Sequence, residues 1–384
     1  MASWAHPNER LGRWNPVVNH RPELDGLRAL AVLLVIASHL AVPYLLGGWV
    51  GVDVFFVLSG YLITSILVRE FHRTSSIALG HFYLRRVLRL YPALIAMLLV
   101  CAFWYRLFGE SDTLNGYLHT AAYSGFYLQD IVSGYGGGPH GALGFTWSLA
   151  LEEQFYLLWA PLLLLCLKRG WPLSKVTLAL TLASTTALFV EWGRHYNGNA
   201  LVYFRPETRA NELFLGCLLA TVLPRIQVTL ADHRSVSNVF SWLGLAGLLG
   251  VELYGVHFSR ASYYPVQEIW AGASAAVLIV GLSVGVNRSL VNRALSTRPA
   301  VSVGRISYGM YLWMIPSIIL LNKYLASYPI DWRGFAIVAL ALIMLLASAS
   351  YFLVERPCLS LKRRFEIVRT SPDPEKHAFE GSPT

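Results

Sequence analysis

Apolar runs of close to 20 residues recur along almost the whole chain, and about that length of α-helix crosses a hydrocarbon core of roughly 30 Å. Lipid offers backbone N–H and C=O groups no partner, so such runs must fold as helices that satisfy themselves. Composition agrees: 55% of the 384 residues are hydrophobic and 14% are charged, where soluble domains carry about 25% charged residues. The fold class read from this is all-α, a polytopic membrane protein. Ten spans are expected, at 27–45, 48–68, 90–108, 146–167, 174–191, 210–224, 238–256, 265–285, 303–322 and 334–354. The stretch "YLHTAAYSGFYLQDIV" at 117–132 is short and flanked by acids, and reads as a loop or re-entrant segment against the outer face.

Lysine and arginine fix the orientation, because loops rich in them stay in the cytoplasm. With the N-terminus inside, 23 of them fall on the inner side and 7 on the outer, alternating loop by loop. Both termini are therefore expected in the cytoplasm. The net charge of +9 does not signal nucleic acid, since the arginines sit between apolar segments. Cys101, Cys166, Cys217 and Cys358 are scattered, with no CxxC spacing or histidine cluster to suggest a metal, and read as small buried apolar residues. Three regions follow: a cytoplasmic N-terminal segment, 1–22, without a cleavable signal; a membrane domain, 23–360; and a polar, Pro-rich cytoplasmic tail, 361–384, expected to be disordered.

Ionisable residues inside such spans are costly, and they mark function or internal pairing. In "LDGLRALAVLLVIASHL", Arg28 and His39 are eleven residues apart, which returns to within about 20° of one helix face and rises about 16.5 Å. His39 is either a catalytic imidazole or a core histidine bonded to a neighbour. The second span carries Asp53 and the pair Ser59-Gly60, and Asp53 also suits a helix N-terminus. The fourth carries adjacent Glu152 and Glu153, which point about 100° apart, so one at most shares a cavity with His39. Arg209 and Glu212 open the sixth span at i, i+3, as an exposed ion pair or as part of a site with Asp53. On the inner side "FYLRRVLRLYP" presents Arg86 and Arg89 on one face, able to grip phosphate or to anchor on anionic headgroups.

These phrases, with "GWVGVDVFFVLSGYLI", "WSLALEEQFYLLW", "TRANELFLGCLLA", "GRISYGMYLW" and "VERP", occur in order from residue 22 to about 360. In this the chain resembles the membrane acyltransferases of acyltransferase family 3. The resemblance implies about ten helices in a bacterial inner membrane and no tightly bound cofactor. It also implies acyl-coenzyme A, usually acetyl-coenzyme A, as donor co-substrate, with transfer to a hydroxyl of a glycan, lipid-linked sugar or other acceptor. It maps an arginine-plus-histidine motif onto Arg28 and His39, an Arg-x-x-Arg motif onto Arg86 and Arg89, and a buried glutamate onto Glu152. His39 is then expected to act as general base, Glu152 to orient it, and the three arginines to hold the donor phosphates. Met314 and Phe145 stand where similar proteins often have histidine, an exchange that suits a more hydrophobic acceptor such as a macrolide. A reading of another class is a proton-coupled transporter or flippase, although no inverted repeat relates the two halves.

Overall fold

The computed structural model describes residues 21–362 apart from 41, 43–44, 46–48, 110, 137–140, 195–199, 231–233, 255–263, 285–288, 326 and 329. The N-terminal segment and the tail expected from sequence lie outside the described residues but for their innermost ends. All regular structure among the described residues is helical. The long helices are α1 (Pro22–His39), α2 (Val50–Thr74), α3 (Leu79–Phe108), α6 (Trp147–Lys168), α7 (Leu173–Arg194), α8 (Pro206–Leu230), α9 (Arg234–Tyr254), α10 (Tyr264–Ser283), α13 (Ser307–Leu325) and α14 (Trp332–Ser350). Shorter ones complete the order: α4 (Ser111–Gly125), α5 (Gln129–Tyr135), α11 (Leu290–Leu295), α12 (Arg298–Arg305) and α15 (Arg356–Lys362).

Each of the ten expected spans falls on a helix, but fewer meet the demands of a membrane crossing. Among the described residues 8 helices are long and apolar enough, or 9 if α12 and α13, bent by 66° at their junction, count as one span. The difference lies in α1, whose 18 residues include Glu23, Asp25 and Arg28. Large apolar side chains cover the outside of the bundle, among them Leu99, Phe103, Leu158, Ile337 and Leu345, as lipid contact requires. The chain is an integral membrane protein.

α2 is the most enclosed of the spans, and glycines let its neighbours reach it. A Cβ on Gly60 would lie 2.0 Å from the Leu213 carbonyl oxygen, and one on Gly216 would lie 2.1 Å from that of Val57. Backbones of α2 and α8 therefore touch, in the manner of small-residue contacts between membrane helices. Gly60→Val is expected to cost about 3 kcal/mol or more through overpacking, read as loss of monodisperse protein after detergent extraction.

Relative directions follow the alternation expected from the charges. Asp53 meets Arg209 and Gly60 meets Leu213, while Ser59 meets Glu152 and Thr64 meets Trp159, so α2, α8 and α6 run the same way. Tyr308 bonds the Leu90 carbonyl and Lys323 that of Phe108, so α3 and α13 run together. Between α3 and α6 the chain turns back: α4 returns along α3, with Tyr117 stacked on Tyr105 at 4.8 Å and bonded to the Leu98 carbonyl. Its far end packs inside, where Ser124 and Thr146 share a hydrogen bond of 2.8 Å. Most of 117–132, expected as a loop or re-entrant segment, is helical, in α4 and α5.

Candidate active site

Seven α2 residues, Val52, Phe55, Phe56, Ser59, Leu62, Ile63 and Ile66, line a cavity of about 970 Å³ including its open mouth. They recur at i, i+3, i+4 and i+7, one face of a helix, and the stripe rises about 21 Å. The opposite wall comes from α6, with Ser148, Leu149, Glu152, Glu153 and Tyr156. Arg28 of α1, Arg86, Arg89 and Leu90 of α3, and Ser307, Tyr308 and Tyr311 of α13 complete it, together with Tyr127 from the turn between α4 and α5. The bend between α12 and α13 gives α13 a start of its own inside the bundle, and that start bears Ser307 and Tyr308.

Five residues singled out in the sequence meet here: Arg28, Arg86, Arg89, Glu152 and Glu153. Arg86 donates to Glu153 Oε1 from Nη2 at 3.0 Å and from Nε at 3.3 Å, with its guanidinium lying 3.6 Å from the centre of the Tyr156 ring. Glu152 accepts from Ser59 Oγ at 2.8 Å. Ser59 thus donates its hydroxyl hydrogen bond to a carboxylate across the cavity, where a helical serine ordinarily bonds back to its own backbone. Arg28 reaches Asp25 at 3.4 Å, and Arg89 forms no ion pair with a described residue. The adjacent glutamates divide their tasks, one held by a serine and one by an arginine.

His39 is placed elsewhere. It ends α1, its side chain is exposed, and it is not among the residues that line the cavity. Its Nδ1 lies 2.8 Å from the Val35 carbonyl oxygen. A carbonyl only accepts, so Nδ1 carries the proton in the neutral ring and Nε2 carries the lone pair. Glu152, expected to orient this imidazole, has Ser59 as its partner.

Asp53, Arg209 and Glu212 form a second cluster, buried and with a further acid. The Arg209 guanidinium binds Asp53, reaches Glu268 Oε2 at 3.0 Å and Glu212 Oε2 at 3.5 Å, and all four side chains are at most 1% exposed. The exposed-pair reading of Arg209 and Glu212 is corrected by this geometry. The guanidinium is boxed by Tyr203 at 4.9 Å and by Phe56 and Trp147 at 5.5 Å each. Phe56 also lines the cavity, so its ring borders both polar centres. Sequence reasoning passed over Glu268, although a lone acid in the apolar run 265–285 is the same signal that selected Asp53. Met314 and Phe145 belong to the hydrophobic core and do not line the cavity. Cys101, Cys166 and Cys217 are buried and Cys358 is half-buried, all as free thiols.

A family model described as an acyltransferase domain matches residues 21–353. The peptidoglycan O-acetyltransferase OatA of Listeria monocytogenes is 35% identical over 356 residues, covering 88% of this chain and 55% of that protein. The O-acetyltransferase OatA of Staphylococcus aureus is 31% identical over 346 residues, covering 88% of this chain and 57% of its own length. The chain thus spans little more than half the length of these relatives. No solved structure matches.

Proposed function

We propose, since this chain belongs to the acyltransferase family, that it is an O-acetyltransferase moving an acetyl group from acetyl-coenzyme A to a hydroxyl of a cell-wall glycan. The reading rests on one observation: three arginines and two glutamates from three helices, separated by up to 125 residues, line a single cavity. Guanidinium groups bind phosphate through paired N–H donors, so Arg28, Arg86 and Arg89 hold the phosphates of the donor. Its thioester arm then lies along the α2 stripe, past Ser59 and Glu152. Glu153 fixes Arg86, and Ser59 fixes Glu152 beside the path of that arm.

His39 serves the acceptor. At the far end of α1 from the N-terminus, its Nε2 lone pair takes the proton of the acceptor hydroxyl as that oxygen attacks the thioester carbon. The carbon–sulfur bond breaks, the ester forms, and the imidazolium passes that proton to the departing thiolate, so that coenzyme A leaves as the thiol. With both termini in the cytoplasm of a bacterial cell, donor and acceptor meet from opposite sides of the plasma membrane. The relatives' names favour peptidoglycan as the glycan. Met314 and Phe145, which suggested a hydrophobic acceptor, pack in the core and do not line the cavity, and this favours the glycan.

Membranes bearing the protein are expected to consume acetyl-coenzyme A and to esterify glycan; transport without acyl consumption overturns the reading in favour of the transporter. Arg89→Ala is expected to raise the KM for acetyl-coenzyme A roughly ten- to a hundredfold, the loss of one charge-assisted contact, with kcat little changed. An unaltered KM removes Arg89 from the donor site.

A further inference from the structure

Two non-glycine residues among those described have positive φ, Ser75 at 56° and Tyr127 at 54°. Ser75 caps α2 at its end, a place where left-handed backbone is routine. Tyr127 likewise closes α4: its N–H reaches the Ser124 carbonyl at 3.2 Å and the Leu128 N–H reaches that of Tyr123 at 2.8 Å, the paired bonds of a helix C-terminus whose left-handed residue is usually glycine. A bulky tyrosine in that place carries a steric cost that glycine does not.

The surroundings are specific. The Tyr127 carbonyl accepts from Gln154 Nε2 at 2.7 Å, and the same amide donates to Asp130 Oδ1, on α5, at 2.8 Å. One side chain of α6 therefore pins the turn from both sides. Gln154 directly follows Glu153, the carboxylate that holds Arg86. The Tyr127 ring enters the cavity, lies 6.2 Å from the Tyr91 ring, and brings its hydroxyl towards that of Tyr308. Arg86 and Glu153 are its charged neighbours.

We infer that Tyr127 is a positioning residue of the donor site: the strained turn, pinned by Gln154, sets its ring as the wall of the cavity beside the Arg86–Glu153 pair. The ring keeps water from that pair and confines the nucleotide end of the donor against the guanidinium groups. Helices α4 and α5 are thereby part of the donor site, not a cover outside it. This rests on the proposed function, in which the cavity receives acetyl-coenzyme A.

Coenzyme A itself is the probe, titrated by calorimetry into the purified full chain. Glycine adopts the left-handed region without penalty, so Tyr127→Gly is expected to fold, with thermal stability at or above wild type, while binding coenzyme A at least about tenfold more weakly. Tyr127→Phe keeps the wall and is expected within about threefold of wild type; Gln154→Ala, which frees the turn, is expected to weaken binding as the glycine variant does. Undiminished binding by the glycine variant overturns the inference, as does its failure to fold, since that contradicts the strain. Equal loss in the phenylalanine variant overturns it too, by assigning the effect to the hydroxyl. A wild type that binds no coenzyme A overturns the donor-site reading first, and this inference with it.

Discussion

Arg209→Met is expected to leave little or no folded protein in the membrane, the largest stability effect of any single substitution here. One guanidinium stands among Asp53, Glu212 and Glu268, all four fully buried. Removing one partner of a buried charge pair costs about 3 to 5 kcal/mol, because the remaining charge stays desolvated without compensation. Three acids share this one cation, so the upper part of that range applies, against a typical total stability of about 5 to 15 kcal/mol. Arg209→Lys should rescue only in part, since an ammonium is a point charge and cannot present a planar fork to acids on three sides. Adding Asp53→Asn, Glu212→Gln and Glu268→Gln to Arg209→Met should restore folded protein by removing the charges left alone. The check is yield of monodisperse protein by fluorescence-detected gel filtration; normal yield from Arg209→Met alone removes the cluster from its structural role.

His39→Ala is expected to lower acetyl transfer by about a hundredfold to ten-thousandfold, the usual range for a lost general base, while leaving coenzyme A binding unchanged. The separation follows from placement. His39 lies outside the cavity lining, so its loss touches no donor contact, whereas Arg89→Ala acts on the donor alone. Parallel measurement of transfer and donor binding distinguishes the two. Transfer at a normal rate excludes His39 from the chemistry, and weakened binding places it in the donor site instead.

Legibility in the sequence varied from feature to feature for physical reasons. Arg28, Arg86, Arg89, Glu152 and Glu153 were selected because an ionisable group in an apolar run has no partner in lipid, and the structure gathers those five. The same rule selected Asp53, Arg209 and Glu212, yet it could not say that they join Glu268 in a centre of their own, beside Phe56. Tyr127 carried no sequence signal at all: tyrosine is not a residue that announces left-handed backbone. Ser59 was visible as a motif, but its bond to Glu152 depends on how α2 and α6 are rotated against each other.

The sequence by itself determined which segments are helices, how they alternate in direction and which side chains cannot face lipid, because these depend only on local hydropathy, charge and the cost of an unsatisfied backbone. Tertiary structure alone decided which of those side chains meet. Partnership across helices is set by their rotation and separation, and these follow from close contacts such as Gly60 against Leu213 and Gly216 against Val57. Such contacts belong to pairs of segments far apart in the chain, and no single run of residues records them.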